Sequence, residues 1–275
     1  MSNNELESYI LSLLIRRGEI DGFETAIREL LTGCSSSDEF DVIKHVLENV
    51  LIIGTDRLAR PIKALAERIV DEIVNNGPTA VVAMAYDSSP DSSQMLVQML
   101  KPAMRGQSNV TLLNTVPSYL KKDISLEYTN CILIDEFSGT GRTVKNRIEY
   151  IQKDLASKGR EGTIKAKVLF GMKEAKDTLE SEGIEIEFLQ ILKAGISGYF
   201  NGQERERLTA AMKSIETQLA PDILGKPVPS MGHGDAEAMF NIKGWNAPNS
   251  NFPILWWPED VAGKSRETMM VRYEP

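Results

Sequence analysis

The region from residue 79 to residue 192 alternates short apolar runs with amphipathic segments, and this alternation constrains the fold more than any other feature. Five apolar runs bounded by turn residues have the length of buried strands: 79–86, 109–116, 130–134, 166–171 and 184–192. Residues with helical periodicity lie between several of these runs. Because strands alternating with helices form a mainly parallel sheet covered on both faces, we predict an α/β fold with a five-stranded parallel sheet.

The residues on either side of this alternation have other patterns. Residues 1–77 carry three apolar stripes at helical spacing and end at the stop signal Asn75-Asn76-Gly77-Pro78. Residues 221–275 hold seven of the twelve prolines and all three tryptophans, which is typical of loops that pack. We therefore predict three regions: an N-terminal helical region (1–77), an α/β core (78–220) and a loop-rich cap packed on the core (221–275).

Composition excludes several classes of function. The chain has 31 basic and 39 acidic residues and a formal net charge of −8, which argues against a protein that coats nucleic acid over its whole surface. The two cysteines and two histidines are scattered, unlike the ligands of a structural zinc site. We find neither a secretory signal nor an apolar run long enough for a membrane helix, and we expect a cytoplasmic protein without membrane contact.

The segment from Cys131 to Thr143 carries the strongest chemical signal. Its apolar strand ends in two adjacent carboxylates, Asp135 and Glu136, and the tight turn 139–141 then opens into a helix. Backbone N–H groups at a helix start form an anion site, and glycines let the backbone approach a phosphate closely. The carboxylates can accept hydrogen bonds from sugar hydroxyls or hold a hydrated Mg²⁺. The segment therefore predicts a site for a phosphorylated sugar.

Two other phosphate-binding motifs do not fit this segment. The P-loop requires the pattern G-x-x-x-x-G-K-[ST], and both its spacing and its lysine are absent here. The dinucleotide fingerprint requires a third glycine where this chain has Val144, and its acidic residue follows the glycines instead of preceding them. Neither motif describes this chain.

The segment 132–143 resembles, across its full length, the phosphoribosyl pyrophosphate (PRPP) motif of type I phosphoribosyltransferases. The resemblance implies that Asp135 and Glu136 are the catalytic pair, hold the ribose 2′ and 3′ hydroxyls, and bind a Mg²⁺ cofactor through water. The residues it assigns to the 5′-phosphate loop are Ser138, Gly139, Thr140, Gly141, Arg142 and Thr143. Many purine enzymes of the family carry an acid at the position of Gly139, so the acceptor base stays open.

Members of this family bind pyrophosphate in the loop after the first strand of the sheet. The matching segment here is 87–93, and we assign Asp87, Ser88 and Ser89 to the pyrophosphate. A serine-rich helix start next to a proline is the competing interpretation of the same residues. The basic loop that covers the site in the family would here contain Lys121 and Lys122.

The segment 246–257 resembles a branch of phosphoribosyltransferase-like proteins linked to bacterial conflict systems, including retron-type defence operons. This resemblance implies a defence role, with the reverse transcriptase and noncoding RNA of a retron as partners. Self-association stays open. So do the roles of His233 and of the Trp256-Trp257 pair, which could contact a base or serve only the structure.

Two functions follow from these patterns. The first is a phosphoribosyltransferase-like enzyme that binds PRPP or a related nucleotide with Mg²⁺ and transfers or cleaves the ribosyl phosphate at the anomeric carbon. The second is a non-catalytic subunit that senses a nucleotide or takes part in assembling a nucleic-acid-containing complex.

Overall fold

The computed structural model describes residues 3–87 and 89–273. The helices are α1 (Asn3–Arg16), α2 (Glu24–Thr32), α3 (Ser37–Asn49), α4 (Ala59–Asn76), α5 (Ser92–Leu100), α6 (Val116–Tyr119), α7 (Lys122–Glu127), α8 (Arg142–Ser157), α9 (Lys173–Ser181) and α10 (Gly202–Glu216). The strands are β1 (Leu51–Ile53), β2 (Thr79–Ala83), β3 (Val110–Leu113), β4 (Asn130–Ser138), β5 (Thr163–Met172), β6 (Ile186–Leu192), β7 (Asp222–Ile223), β8 (Lys226–Pro227) and β9 (Phe240–Ile242).

The chain divides into two compact units. One unit, Asp56–Leu192, contains the sheet and is called the sheet unit. The other, called the helical unit, consists of the described residues of Met1–Thr55 and Lys193–Pro275. In the described parts of both units, no helix combines the length and the apolar character needed to cross a membrane.

The sheet unit contains the predicted five-stranded sheet. Its strand order is β3-β2-β4-β5-β6, and every neighbouring pair is parallel. The five residues of β2 are all buried, as expected for a strand covered on both faces. The predicted α/β fold class and all five predicted strands are thereby confirmed.

The central strand, β4, differs from the prediction at its carboxyl end. It was expected to stop at Ile134 but continues to Ser138. Pairing with β2 ends at Ile134, whereas pairing with β5 continues as far as Ser138 opposite Gly171. The acid pair therefore belongs to the strand itself, and β5 holds its backbone.

The order in which successive strands are added to the sheet changes sides between β2 and β4. From β2 the chain passes through α5 to β3, and from β4 it passes through α8 to β5 on the other side. In open α/β sheets, ligands bind in the crevice that such a change of side opens at the carboxyl ends of the strands. This crevice is where β4 places Asp135 and Glu136.

The helical unit has a core of its own. Apolar residues of α1, α2, α3 and α10 form one buried cluster with the C-terminal segment, and α10 packs against α3. Strands β1 and β9 form a short parallel pair. Trp256 and Trp257 are 2% and 0% exposed, with ring centroids 5.3 Å apart. At that exposure the tryptophan pair has no surface on which a base could stack.

These units divide the chain at points other than the predicted boundaries at residues 77 and 220. Helix α4, placed in the N-terminal region by its sequence pattern, belongs to the sheet unit, and α10 belongs to the helical unit. The physical reason is apolar packing across long sequence separations, because α10 and the segment 221–273 share the hydrophobic cluster of α1–α3.

Candidate functional site

Glu136 is the most unusual side chain at the β2/β4 crevice. The residue is 9% exposed, and its Oε1 accepts a 2.5 Å hydrogen bond from the Ser92 hydroxyl at the start of α5. Its Oε2 is buried, and no residue within 3–87 or 89–273 donates a hydrogen bond to it. A buried polar atom without a partner carries a desolvation cost, and a donor from a bound ligand would remove that cost at this oxygen.

Asp135 lies beside this carboxylate. Its Oδ1 accepts a 2.9 Å hydrogen bond from the backbone N–H of Glu136. Burial of the carboxyl group first, then the charge of Glu136 and a side-chain hydrogen bond with it, and then the charge of Asp91 raise the pKa of Asp135 well above its ordinary value. An aspartic acid with a raised pKa holds its proton to a higher pH than a fully solvated aspartic acid does.

The turn after β4 depends on Gly141. This residue has φ +76° and ψ −9°, the left-handed conformation that glycine adopts without strain. A Cβ atom at this position would lie 2.9 Å from the side chain of Leu179 in α9. The sequence therefore needs glycine here, both for the turn and for the close packing of α9.

Helix α8 begins directly after this turn and presents a free N-terminus. No side chain of the described residues caps it, so the N–H groups of its first turn are open to an anion. Arg142 and Thr143 are exposed, and Thr140 is half-buried. Ser138, the last residue of β4, is buried.

The segment after β2 approaches the same crevice. Ser88 lies outside the described residues, while Asp87 and Ser89 are both exposed. The Ser89 N–H donates a 2.8 Å hydrogen bond to Asp87 Oδ1. That bond first, then the Ser89 side chain and the charge of Arg147, hold the pKa of Asp87 below its ordinary value. The assignment of Asp87, Ser88 and Ser89 to pyrophosphate stays a prediction.

The start of α5 has the geometry of a capped helix N-terminus, which was the competing interpretation of residues 87–93. Asp91 is the N-cap, accepts a 2.9 Å hydrogen bond from the Ser93 N–H, and forms a capping box with Gln94. The neighbouring residue, Ser92, bonds to Glu136. Both Asp91 and Ser92 were missed as site residues. The serine-rich segment was a signal for them, but their proximity to the acid pair depends on β2 and β4 being neighbours.

Arg147 is a third residue near the crevice that the sequence did not identify. From the second turn of α8, its Nε donates a 2.9 Å hydrogen bond to the Met84 carbonyl, just after β2. Its guanidinium lies 4.9 Å from the ring centroid of Tyr86, which packs edge-on against Tyr150 at 5.0 Å. Arg147 thus connects the segment after β2 with helix α8, which begins directly after the glycine turn 139–141.

The basic pair Lys121 and Lys122 does not lie at this crevice. Lys122 begins α7, which leads into the amino end of β4. Arg160, just before β5, donates a 2.6 Å hydrogen bond to Ser125 in α7, which places this helix near the amino ends of the strands. The expected role of these lysines in a loop over the acid pair is wrong, because the acid pair is at the opposite end of β4.

His233 lies in the helical unit. It is exposed, in a short 3-10 turn, and its backbone N–H donates a 2.9 Å hydrogen bond to the Asn249 carbonyl. The acid pair belongs to the sheet unit.

The acid pair, Asp135 and Glu136, offers carboxylate oxygens that could hold Mg²⁺. Within the described parts of the chain, no group of three or more acidic, histidine or cysteine side chains is arranged as a metal site. Mg²⁺ is commonly bound by one or two carboxylates together with water and substrate phosphates. The unpartnered Glu136 Oε2 and the adjacent Asp135 fit that mode of binding.

Comparison with known proteins identifies the family. The model of the family PRTase-CE matches residues 26–268. The chain belongs to the PRTase-CE family. The matched range includes the whole sheet unit and most of the helical unit of this PRTase-CE protein. The phosphoribosyltransferase resemblance predicted from residues 132–143 is thereby confirmed.

Solved structures with a similar fold are more distant. Hypoxanthine-guanine phosphoribosyltransferase from Schistosoma mansoni, in complex with IMP, has 16% identity and a TM-score of 0.36, covering 53% of this chain and 67% of its own. A hypothetical protein from Neisseria gonorrhoeae with bound ppGpp has 18% identity and a TM-score of 0.34. The match covers 59% of this chain and 98% of the other. Orotate phosphoribosyltransferase from Mycobacterium tuberculosis H37Rv, in complex with inorganic phosphate, has 12% identity and a TM-score of 0.32. The match covers 57% of this chain and 97% of the other. A search of curated proteins found no match.

Proposed function

We propose that this PRTase-CE protein binds PRPP or a related nucleotide, together with Mg²⁺, in the β2/β4 crevice. There it would break the bond between the anomeric carbon and its leaving group, and that carbon would form a new bond to an acceptor base in transfer or to water in cleavage. The observation that carries this proposal is the buried Glu136 Oε2 without a partner, beside Asp135 and directly before an uncapped helix N-terminus.

The acid pair is suited to hold a ribose. Ribose hydroxyls are hydrogen-bond donors, and Glu136 Oε2 is a buried acceptor that lacks one. A hydroxyl that reaches this oxygen replaces a desolvation cost with a charge-assisted hydrogen bond. With Asp135 alongside, two adjacent hydroxyls can be bound at once, which fixes the orientation of the sugar ring.

The turn and helix that follow are suited to hold the 5′-phosphate. The first N–H groups of α8 are uncapped, and Gly141 lets the backbone approach the ligand closely. Ser138, Thr140 and Thr143 add hydroxyl donors, and Arg142 adds a positive charge. This local set of donors binds an anion although the protein as a whole is acidic.

Displacement at the anomeric carbon passes through an oxocarbenium-like state, so the residues need to orient and stabilise more than to attack. Held at the ribose hydroxyls, Asp135 and Glu136 place negative charge near the developing positive ring. Bound Mg²⁺ would neutralise charge on the leaving group. A side-chain nucleophile is not required, which suits a crevice built from carboxylates, hydroxyls and backbone N–H groups.

Isothermal titration of PRPP with and without MgCl₂, followed by an assay for pyrophosphate release in water alone and with added purine and pyrimidine bases as acceptors, tests the proposal. The variant is Asp135→Asn/Glu136→Gln. Its matched control is Asp123→Asn/Glu161→Gln, which removes two exposed carboxylates from the sheet unit and changes the net charge equally. We expect wild type and control to bind and turn over PRPP, and the acid-pair variant to lose turnover. Absence of PRPP binding by wild type would overturn the proposal.

The same experiment separates the alternative function. A non-catalytic sensor or assembly subunit would bind PRPP or a nucleotide in an Asp135- and Glu136-dependent manner and release no pyrophosphate. The defence role, with a reverse transcriptase and RNA as partners, stays a prediction. Plaque assays on cells that carry the wild type or the acid-pair variant, with co-purification of nucleic acid, test it.

A further inference from the structure

Ser92 joins two parts of the crevice that are far apart in sequence. Its hydroxyl donates a 2.5 Å hydrogen bond to Glu136 Oε1 across a separation of 44 residues. One Glu136 oxygen is therefore held while the other is buried and without a partner among the described residues. The two observations together describe a carboxylate with one oxygen held by Ser92 and the other able to accept a hydrogen bond from a ligand.

We infer that Ser92 is a positioning residue, which orients the Glu136 carboxylate so that its second oxygen accepts a ribose hydroxyl. The inference deepens the proposed function and rests on it. Ser92 does not contact the sugar in this scheme; it acts through Glu136.

The position of Ser92 is itself fixed by the start of α5. Ser92 is the first residue of that helix, and the preceding Asp91 is locked by its capping box with Gln94. The neighbouring Ser93 is fully buried, and its N–H donates to Asp91 Oδ1. Helix α5 also packs against both β2 and β4. The donor is thus held by a rigid element.

Glu136 needs such an anchor because its side chain is long. A glutamate loses substantial rotamer freedom on being ordered, and an unanchored carboxylate can turn toward other partners or solvent. A hydrogen bond from Ser92 to one oxygen leaves few orientations for the other. The ordering is then in place before the sugar binds, which increases affinity for the correct ligand.

Ser92 also belongs to the segment that follows β2. That segment begins with Asp87 and Ser89, which are predicted to contact the pyrophosphate. One hydrogen bond therefore connects the leaving-group side of the crevice with the ribose side.

A cycle of protein and ligand changes tests the role of Ser92. The probes are ribose 5-phosphate, 2-deoxyribose 5-phosphate and 3-deoxyribose 5-phosphate, each titrated calorimetrically with MgCl₂ into the full chain. We expect Ser92→Ala to weaken binding of ribose 5-phosphate about tenfold, the range of one charge-assisted hydrogen bond. For the deoxy sugar that lacks the hydroxyl bound by Glu136, this loss should shrink to about twofold or less.

Two further variants separate positioning from damage to the fold. Ser92→Thr keeps the hydroxyl and should restore binding of ribose 5-phosphate. Ser157→Ala, which removes an exposed local hydrogen bond at the end of α8, should bind like wild type.

An equal loss for all three sugars, or no loss in Ser92→Ala while wild type binds ribose 5-phosphate, would overturn the inference and leave the proposed function standing. Failure of wild type to bind ribose 5-phosphate would overturn the inference, whereas failure of wild type to bind PRPP would overturn the proposed function.

Discussion

The two units of this protein bury glutamates in opposite ways. In the helical unit, Glu237 is 6% exposed and its Oε2 accepts 2.7 Å hydrogen bonds from the backbone N–H groups of both Ile196 and Ser197. Glu216, also buried, accepts from the Ser230 hydroxyl and the Met231 N–H. In the sheet unit, Glu136 is buried to a similar extent, with one oxygen partnered and the other not.

The difference shows how a structural acid is distinguished from a ligand-directed one. Burial alone is shared by all three glutamates, so it identifies no site. Within the described residues, Glu136 is the carboxylate that combines burial with an oxygen lacking any donor. A chain keeps such an arrangement at a cost in stability, which is typical of groups that act on a ligand.

The largest effect should come from removing a satisfied acid. Glu237→Ala leaves the buried N–H group of Ile196 and the half-buried N–H group of Ser197 without acceptors, and we expect a loss of about 4 kcal/mol in the free energy of unfolding. Urea unfolding followed by tryptophan fluorescence measures it, because all three tryptophans lie in the helical unit. Glu206→Ala, at an exposed position of α10, is the control and should cost less than about 0.5 kcal/mol. A loss below about 1 kcal/mol in Glu237→Ala would show that its hydrogen bonds do not stabilise the unit.

A smaller effect should come from the turn beside the unsatisfied acid. Gly141→Ala combines an unfavourable positive φ with a Cβ 2.9 Å from Leu179, and we expect a loss of about 2 to 3 kcal/mol. Gly183→Ala, just after the end of α9, has a similar φ of +73° but no atom within 4 Å of the added Cβ, and should cost about 1 kcal/mol. Urea unfolding followed by far-UV circular dichroism measures both. Equal losses would mean that the contact with α9 adds nothing.

The sequence predicted the sheet unit better than the helical unit, for a physical reason. Runs such as β2 are apolar throughout and bounded by turn residues, so each strand is visible within a few neighbouring residues. The order of acid pair, glycine turn and helix is also local. In the helical unit, by contrast, α10 joins α3 through contacts between residues far apart in sequence, and no local pattern indicates that.

The candidate site was predictable only in its local part. Asp135, Glu136 and the turn form one continuous segment, so their sequence alone suggested a sugar phosphate. The continuation of β4 past Ile134 was missed because carboxylates have low strand propensity, and the register with β5 overrides it. Ser92 and Arg147 were missed because their contacts cross between segments that only the sheet order brings together.

An effect of opposite sign should come from neutralising the unsatisfied acid. Glu136→Gln removes a buried charge that lacks a full set of donors, and we expect the free energy of unfolding to stay equal or rise by up to about 1 kcal/mol. The same variant should bind ribose 5-phosphate at least tenfold more weakly, because a neutral amide is a poorer acceptor. Circular dichroism and calorimetry on one preparation measure the two effects. A clear loss of stability would place Glu136 with Glu237 as a structural acid.

The smallest effect concerns the pH dependence of the satisfied acids. Burial, opposed by the hydrogen bonds from Ser230 and Met231, raises the pKa of Glu216 above its ordinary value of 4.5, with Lys213 lowering it and Asp235 raising it. Between the two pKa values the folded state binds more protons than the unfolded state, so Glu216 makes the free energy of unfolding fall as pH rises through the window above 4.5. Glu216→Gln removes this dependence. The difference between wild type and variant, measured by tryptophan fluorescence in urea from pH 4.5 upward, should therefore change with a slope below about 1.4 kcal/mol per pH unit, the limit for one proton. A difference that is constant with pH would mean that the hydrogen bonds to Glu216 offset the desolvation cost of its burial completely.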